Sequence, residues 1–500
     1  MADVHLQYLN EVHVRIITER GILMEICDHF TYFAENYKYH PKVKARLWDG
    51  KICLINRLTG VIYAGLAHRI KKFCDAQGYS FSFDEQLAYD NVSEAELKEF
   101  ISTLGLPANK EERGYQFDSI LKCLRSRRRT LLSPTSSGKS LIIYILARWY
   151  AGRTLIIVPT TGLVAQMESD FREYGFTGTI SNSLGGLDKG QNIEADMVIT
   201  TWQSLDNGRT KVDKSWYNQF DVVVGDEAHG AKATSLIKIL SAMENVRYRF
   251  GTTGTLGDNK LNTMTIEGLF GPQYQSITTR EMIDQGYAAD LTIKCIVLRY
   301  PAEACKALSR IPYINESGKK AYRSATYQEE VEFLMNYEPR NRFITNLVKS
   351  LKQNKLVFFR LKEHGQLIYE SLKDEHNSFY IDGDVKTAVR ERIRHAIEDE
   401  ENATLVGSLG TTSTGVSINR LKHMIAAHPS KSKIKVLQSI GRMLRKHEEK
   451  IESGAILYDI VDDLSNGKTQ RNFTFKHFEE RVKIYDLEQF EYKIYTVGIK

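Results

Sequence analysis

The sequence lacks the features of secreted and membrane-spanning proteins. Its 500 residues include six cysteines, none of them in a C-x-x-C pair, which argues against a disulfide framework or a cysteine-bound zinc ion. The first residues show no basic-then-apolar signal, and no uncharged apolar run reaches about 18 residues. These absences predict an intracellular protein with reduced thiols that does not interact with membranes.

Basic and acidic residues are unevenly distributed along the chain. The chain has 68 Lys and Arg against 62 Asp and Glu, a net charge of +6. Residues 81–115 contain three basic and eight acidic side chains, whereas residues 1–80 contain eleven basic and eight acidic ones. A mildly basic body with an acidic connector permits an anionic partner, but net charge informs association and not fold.

The rhythm of apolar residues divides the chain. The first eighty residues mix helix-like and strand-like spacing, which predicts a small α+β domain. From Tyr115 onward, short continuous apolar runs such as TLIIVP and DVVVGD alternate with helical patterns, as in parallel sheets that are buried on both faces. The same rhythm resumes after residue 290. The expected fold class is α/β, with two parallel-sheet lobes in tandem after the small domain. The expected boundaries are 1–85 for the accessory domain, 86–108 for an acidic helical connector, 109–285 and 286–465 for the lobes, and 466–500 for a C-terminal helical tail.

Local signals give further expectations in the first hundred residues. Residues 44–66 alternate in polarity around an Asp-Gly and a Thr-Gly pair, which predicts a hairpin. Gly78 is expected to end a helix. Ser93, followed three residues later by Glu96, predicts a capping box at the start of the connector helix.

The stretch LLSPTSSGKS, residues 131–140, is close to a phosphate-binding loop. It follows an apolar strand and precedes a helical pattern, so backbone N–H groups at the helix start would face phosphates. Lys139 would reach the β and γ phosphates and Ser140 would bind Mg²⁺. The alternative is a surface turn with a solvated lysine. The remaining loop residues assigned to nucleotide binding are Ser133, Pro134, Thr135, Ser136, Ser137 and Gly138.

A second apolar run, DVVVGDEAHG, delivers two carboxylates at a strand end. Open α/β sheets place their ligands at that end. Asp226 would hold Mg²⁺, and Glu227 would polarise the attacking water. Taken alone, the pair could be turn residues, but together with the loop upstream it predicts a nucleoside triphosphatase.

At Asp226-Glu227-Ala228-His229 the chain resembles the superfamily-two helicases, and other motifs follow in the order of that family. The resemblance includes SPTSSGKS, RGYQFDSI, VPTTGLVAQ, ITTWQSL and GTTGT. It implies that Gln116 and Arg113 read adenine, and that Thr253 and Thr255 couple hydrolysis to movement. A serine at position 136 stands where the family usually has glycine.

The second sheet extends the resemblance. LVGSLGTTSTGVSI is similar to motif V, although Ser417 replaces a usual aspartate, and QSIGRMLRKHE matches motif VI closely. The resemblance implies that Gly415 contacts nucleotide and that Gln438, Arg442 and Arg445 act in catalysis. Two arginines three apart on a helix would share a face that can meet charge on the γ-phosphate. The alternative is solvated arginines on a basic helix.

Motifs Ia, Ic, IV and V contact the nucleic-acid backbone in such relatives. Each candidate residue could instead be a strand-end or helix-cap residue. The candidates are Thr160, Thr201, Gln203, Arg360 and Thr412.

Two basic clusters are open to a DNA-binding and a structural interpretation. The first cluster consists of Arg125, Arg127, Arg128 and Arg129, and its favoured interpretation is a solvated helix end. The second consists of Trp48, Lys51 and Arg57, and its favoured interpretation is packing against the protein with one solvent-exposed face.

The sequence as a whole is interpreted as an ATP- and Mg²⁺-dependent DNA helicase that acts as a monomer. The opening domain and the tail resemble recombination helicases of T-even bacteriophages, which implies branched DNA or RNA–DNA hybrid as substrate, 3′→5′ polarity and a location in host cytoplasm. The alternatives are an RNA helicase, a duplex translocase that separates no strands, and a binding protein with a degenerate ATPase.

Overall fold

The computed structural model describes residues 2–183, 195–206, 212–232, 234–257, 259–315, 317–374, 377–408, 411, 418–428, 430, 432–451, 453–465 and 471–500. The chain forms two compact units: Met1–Pro134 with Gly138–Ile277, and Thr135–Ser137 with Thr278–Lys500. Among the described residues, no helix combines the length and apolar character needed to cross a bilayer.

The first unit begins with a small α+β domain. Its strands are β1 (Val4–Tyr8), β2 (His13–Thr18), β3 (Thr31–Phe33), β4 (Lys51–Cys53), β5 (Val61–Tyr63) and β6 (Phe81–Phe83). Its helices are α1 (Arg20–His29), α2 (Pro41–Lys44) and α3 (Ala67–Gln77). Four strands form one sheet in the order β5-β2-β1-β6, and β3 pairs with β4. Helix α3 ends at Gly78 as predicted, with φ +79°.

The hairpin predicted over residues 44–66 is wrong. Strand β4 pairs with β3, and β5 pairs antiparallel with β2 instead of β4. Both predicted turns exist, with φ +81° at Gly50 and +70° at Gly60. A Cβ at Gly60 would lie 2.7 Å from the Ile16 carbonyl oxygen, so glycine lets this turn pack against β2. Turn residues specify a bend but not the strand that the chain pairs with next.

The first lobe has seven parallel strands in the order β13-β7-β12-β11-β8-β10-β9. They are β7 (Arg128–Leu132), β8 (Thr154–Val158), β9 (Ile180–Ser183), β10 (Met197–Thr201), β11 (Val222–Asp226), β12 (Tyr248–Thr253) and β13 (Gln273–Gln275). The helices are α4 (Glu94–Thr103), α5 (Gly114–Ser126), α6 (Lys139–Trp149), α7 (Thr161–Glu173), α8 (Trp202–Leu205), α9 (Thr234–Ala242) and α10 (Lys260–Phe270). Every residue of β8 and β10 is buried, as a sheet covered on both faces requires. The capping box of Ser93 and Glu96 starts α4 as predicted.

The second unit contains another seven-stranded parallel sheet, in the order β18-β19-β17-β20-β21-β14-β22. Its strands are β14 (Leu291–Arg299), β17 (Lys355–Phe359), β18 (Ser378–Ile381), β19 (Thr404–Ser408), β20 (His423–Ala426), β21 (Ala455–Asp463) and β22 (Glu491–Gly498), and a separate pair consists of β15 (Ile311–Ile314) and β16 (Lys320–Arg323). The helices are α11 (Thr279–Asp284), α12 (Ala302–Ser309), α13 (Tyr327–Asn336), α14 (Glu338–Ser350), α15 (Lys362–Glu370), α16 (Thr387–Asp399), α17 (Lys433–Met443) and α18 (Phe473–Leu487). The predicted class of two parallel-sheet lobes after a small α+β domain is confirmed.

The C-terminal tail is helical only in part. Helix α18 occupies its middle, but β22 then joins the second sheet at its edge, parallel to β14. The alternation of EYKIYTVG has a strand period that the tail's helical pattern concealed. The tail therefore belongs to the architecture of the second lobe.

The basic cluster at residues 125–129 is not a solvated helix end. Arg127 forms an ion pair with Asp90, and Arg128 donates to Glu11 at 2.8 Å with 14% of its side chain exposed. Arg125 donates to the Val92 carbonyl oxygen. These arginines attach the small domain and the connector to the first lobe, because their partners lie in the segments that precede it.

A buried carboxylate fixes the small domain to helix α10. Glu267 has a fully buried side chain and accepts from Arg69 Nε at 2.9 Å and Arg69 Nη2 at 2.7 Å, with His68 Nε2 at 3.3 Å. Burial alone would raise the pKa of Glu267, but the hydrogen bonds from His68 and Arg69 outweigh it and lower the pKa to about 2. Gly65 permits this contact, since a Cβ there would clash with the Glu267 carbonyl oxygen.

We expect Glu267→Gln to weaken this attachment in a pH-dependent way. Ionisation of Glu267 stabilises the folded state above the ordinary pKa of about 4.3, and that stabilisation is lost as the pH falls toward about 2. The variant should lose about 2 kcal/mol or more at pH 7, because a buried pair is broken, and much less at pH 3. Urea unfolding at both pH values measures the difference.

The matched control is Asp75→Asn, which removes an exposed ion pair with Lys71 in the same domain. It should change stability by less than about 0.5 kcal/mol. Equal losses for Glu267→Gln at pH 7 and pH 3 would contradict the electrostatic explanation.

Candidate nucleotide-binding site

Three neighbouring strands of the first lobe bring the predicted site residues to one edge. Strand β12 lies between β7 and β11, and all three run in parallel. Asp226 ends β11 opposite Thr252, and Leu132, which ends β7 before the loop, pairs with Thr253. The loop, the carboxylate pair and the GTTGT motif therefore meet at the carboxyl edge of the sheet, where open α/β sheets bind ligands.

The loop after β7 leads directly into helix α6. Gly138 is the N-cap residue with φ +76°, and a Cβ there would clash with the Gln116 amide nitrogen. The Lys139 ammonium donates to the carbonyl oxygens of Ser133 at 3.2 Å and Pro134 at 3.3 Å, so it folds back over the loop. Helix α6 contains seven consecutive buried residues, 141–147, which hold its N-terminus in a fixed direction. A rigid helix N-terminus with a lysine beside it is suited to bind phosphate.

Two residues at this edge have strained backbone conformations. Ser136 has φ +69° and Glu227 has φ +52°, although neither is glycine. Left-handed conformations cost L-residues about 1–2 kcal/mol. Such strain persists where the surrounding structure imposes it, and functional sites are common places for it. At Ser136 the strain explains why glycine is usual there in the motif that the loop resembles.

The carboxylate of Asp226 has one short internal hydrogen bond and a nearby cation. Its Oδ1 accepts from the Thr252 hydroxyl at 2.6 Å. Burial and the adjacent Glu227 carboxylate raise the pKa of Asp226, and the Lys139 ammonium opposes this shift. A carboxylate in that setting gains from a divalent cation. With the hydroxyl of Ser140 in the first turn of α6, it offers the few oxygen ligands that Mg²⁺ uses when phosphates and waters complete its shell.

A chain of polar contacts links the carboxylates to the GTTGT motif. His229 Nδ1 lies 3.1 Å from Glu227 Oε2 and 3.0 Å from the Thr253 hydroxyl oxygen. The Thr253 hydroxyl donates in turn to the Thr255 carbonyl oxygen at 3.1 Å. His229 was not among the candidate residues, although it belongs to the DEAH run. The contact gives a physical path between the proposed catalytic carboxylate and the proposed coupling threonine.

The adenine-reading candidates lie against the loop. Gln116 is almost completely buried; its carbonyl oxygen accepts from the Arg113 backbone N–H at 2.8 Å, and its amide donates to the Gly138 carbonyl oxygen at 3.2 Å. Arg113 donates to the Tyr115 hydroxyl at 3.1 Å. Both residues are thus near the loop, and their role with the base stays a prediction.

The nucleic-acid candidates of the first lobe include two helix caps. The hydroxyl oxygen of Thr160 accepts from the Leu163 N–H at the start of α7, and that of Thr201 accepts from the Ser204 N–H at the start of α8. Gln203 is exposed. All three follow or end β8 and β10, which are neighbours in the sheet. The structure shows a capping role for both threonines and leaves their contact with nucleic acid a prediction.

In the second unit, Gln438 and Arg442 lie on helix α17, but that helix ends at Met443. The expected helical face shared by Arg442 and Arg445 is therefore not present, since Arg445 follows the helix end. The buried Lys450 ammonium donates to the carbonyl oxygens of Met443 at 2.9 Å and Arg445 at 2.8 Å, which fixes this end of the motif. The catalytic roles of the motif stay predictions.

Of the other candidates, Arg360 is exposed directly after β17. Thr412 and Gly415 lie outside the described residues.

Comparison with known proteins matches three family models along the chain. Residues 3–84 match the N-terminal domain of DNA helicase UvsW, residues 109–258 the res subunit of type III restriction enzymes, and residues 339–447 the helicase conserved C-terminal domain. The ATP-dependent DNA helicase uvsW of Enterobacteria phage T4 is 35% identical, with 99% of this chain and 100% of that protein covered. The chain belongs to the UvsW family of helicases.

Two other similarities agree with that assignment. The crystal structure of T4 UvsW aligns over 99% of both chains with a TM-score of 0.50 and 34% identity. A DNA 3′-5′ translocase, XPB2 of Sulfurisphaera tokodaii, is 23% identical, with 76% of this chain and 89% of that protein covered. Membership in the UvsW family confirms an enzyme that hydrolyses ATP and acts on DNA as a helicase.

We expect Ser136→Gly to leave the stability of this UvsW-family helicase within about 0.5 kcal/mol of the wild type. Glycine removes the steric cost of φ +69°, but its greater freedom in the unfolded chain and the loss of the hydrogen bond from the Ser136 hydroxyl to the Gly441 carbonyl oxygen offset that gain. Urea unfolding of the two proteins measures the change. Ser137→Gly is the neighbouring control: Ser137 is buried and has no positive φ, so glycine there should destabilise. A loss of stability in Ser136→Gly as large as that in Ser137→Gly would contradict the strain argument.

Proposed function

We propose that this helicase unwinds or remodels branched DNA, namely junctions, D-loops, R-loops and stalled forks, in recombination and replication repair. Similarity over the whole length of T4 UvsW supports this proposal, because it includes the opening domain and the tail as well as the two lobes. The proposed enzyme acts as a monomer with ATP and Mg²⁺.

The observation that carries the ATPase assignment is the convergence at the carboxyl edge of the first sheet. Lys139 would bind the β and γ phosphates, and Asp226 with Ser140 would hold Mg²⁺, which when bound would supply positive charge against the phosphates. Glu227 orients the attacking water and accepts its proton. The contact of His229 with both Glu227 and Thr253 supports a coupling role for Thr253.

The small domain offers a second surface for DNA. Its segment 37–51 includes five basic residues and one acidic one, and Tyr39 and Leu47 there are 75% and 79% exposed. Trp48 packs locally, since its indole donates to the Lys51 carbonyl oxygen at 2.9 Å. Basic residues beside exposed aromatic ones bind nucleic-acid backbone and bases. The domain's attachment through Glu267 would carry this surface along with the first lobe.

The test compares ATP hydrolysis with single strands, duplex DNA, four-way junctions and RNA at one salt concentration. The proposal expects the largest stimulation, and strand separation, with junctions. Stimulation by RNA and not by branched DNA would overturn it. Raising the salt should weaken DNA binding steeply, since phosphate contacts release counterions.

A second candidate function is translocation along duplex DNA without strand separation. The observation that favours this second function is the similarity of the chain to a protein named as a DNA 3′-5′ translocase. A strand-displacement assay separates the two functions: no displaced product despite DNA-stimulated hydrolysis would support translocation alone.

We expect Lys139→Ala and Glu227→Gln to affect the reaction at different steps. Lys139→Ala should weaken ATP binding, because the ammonium that meets the phosphates is removed. Glu227→Gln should retain ATP binding but lose about 100-fold or more in hydrolysis, as expected for a general base. Fluorescent-nucleotide binding and steady-state hydrolysis measure both.

Glu173→Gln is a suitable control, because Glu173 is an exposed carboxylate that pairs with Lys110 at the surface. It should hydrolyse ATP at the wild-type rate. Full activity in Glu227→Gln would remove this carboxylate from the proposed mechanism.

A further inference from the structure

The second lobe has a cavity at the point where its strand order reverses. Strands β17 and β20 are parallel neighbours. From β17 the chain continues to β18 and β19 on one side of the sheet, whereas from β20 it continues to β21 on the other. Open α/β sheets bind ligands outside the carboxyl ends of strands at such a switch point. Arg360 follows β17 there, and His428 follows β20 two residues after its end.

The cavity has a volume of about 660 Å³, within the range of ligand pockets. It is enclosed by the carboxyl edge of the sheet and by helices α13 and α15. The polar and aromatic side chains that line it and enter the argument are Tyr327, Gln328, Asn336, Arg360, His364 and His428.

Several buried nitrogen atoms around this cavity have no hydrogen-bond partner in the described part of the chain. They are both ring nitrogens of His428 and Nδ1 of His364. The exposed fractions of these two histidines are only 7% and 2%. Buried polar atoms are nearly always hydrogen-bonded, so such a group next to a cavity points to a ligand. The histidine ring requires a partner that both donates and accepts.

The charges around the cavity favour an anionic group at one side. Burial, then the nearby cations Arg360, Arg340 and Arg481 and the ring of His477, together lower the pKa of His428 to about 3. The imidazole is therefore neutral at pH 7. Glu332 and Glu363 line the same cavity, so the positive charge is local to Arg360 and the arginines behind the histidine.

An aromatic ring is held in place at the cavity wall. The ring of Tyr327 lies 5.0 Å from His477 and 6.3 Å from Phe473. Arg360 lines the same cavity, and its positive charge opposes the rise in the pKa of Tyr327 that burial causes, which places a cation near the ring. A fixed aromatic side chain next to an arginine is an arrangement that proteins use to stack a base and hold its phosphate.

We propose that this cavity receives one nucleotide of the bound DNA strand, with its phosphate at Arg360, its base stacked on Tyr327 and an edge of the base hydrogen-bonded to His428. The proposal rests on the proposed contact of Arg360 with nucleic acid and adds a base-binding pocket to it. The cavity is much larger than a phosphate alone needs, and a base edge carries donors and acceptors, so it can pair with whichever ring nitrogen of His428 faces it.

The test scans a single abasic site along a labelled single strand bound to the full-length protein with a non-hydrolysable ATP analogue. Fluorescence anisotropy gives the Kd for each position. In the wild-type protein, one position should raise Kd about five-fold or more, as expected for one lost stacking contact. In Tyr327→Leu and His428→Leu this position should become like all the others.

Two control variants are matched to the test variants. His423→Leu removes a different buried histidine, at the start of β20 and away from the cavity, and Tyr327→Phe retains the aromatic ring. Both should preserve the position-specific penalty. The two controls also show whether loss of the penalty reflects the pocket or a general loss of folding, which thermal unfolding of each variant monitors.

A flat abasic profile, with normal strand binding and DNA-stimulated hydrolysis, would overturn the pocket and leave the proposed function intact. Absence of strand binding would instead overturn the proposed function. Binding of free deoxyadenosine monophosphate that Tyr327→Leu abolishes, together with a flat profile, would show a site for a small nucleotide and overturn the inference. A penalty that persists in Tyr327→Leu would also overturn it.

Discussion

A parallel sheet that is covered on both faces has no room for polar chemistry along its strands. In β8 and β10 every side chain is buried, and helix α6 buries seven consecutive residues beside them. Polar side chains can therefore contact a ligand only where the strands end. Because the carboxyl ends of parallel strands lie at one edge, a loop, a carboxylate pair and a polar turn that are far apart in sequence become neighbours there. The other features of both lobes depend on this constraint.

The same constraint explains why strain is concentrated at the site. A strand that ends in the sheet fixes the position of the next residue, as at Glu227 directly after β11, and the short loop between β7 and α6 confines Ser136. Both residues have left-handed conformations. The hydrogen bonds of the sheet outweigh a local cost of about 1–2 kcal/mol per residue. A strained carboxylate held between His229 and the sheet is oriented without the freedom that an exposed side chain would have.

Sequence patterns predicted those parts of the structure that depend on local chemistry. Continuous apolar runs identified the buried strands, and Gly78 and the Ser93–Glu96 box marked helix ends correctly. Patterns failed where pairing between distant segments determines the structure. Strand β5 pairs with β2, and the tail contributes β22 to the second sheet. The convergence of Asp226 with the loop followed from strand order, whereas the contact of His229 with Thr253 depends on side-chain geometry that no spacing encodes.

Basic residues in this chain have two separate uses, and net charge does not distinguish them. Arg340 and Arg481 form ion pairs with Asp462 and Asp459 in the core of the second lobe, and Arg128 pairs with Glu11 between the small domain and the first lobe. An arginine with a buried partner is not available to phosphate, since breaking such a pair leaves a carboxylate uncompensated. In the proposed function, attraction to DNA therefore comes from exposed cations such as Arg360. The number of basic residues therefore overstates the positive surface that DNA can contact, because only the exposed residues contribute to it.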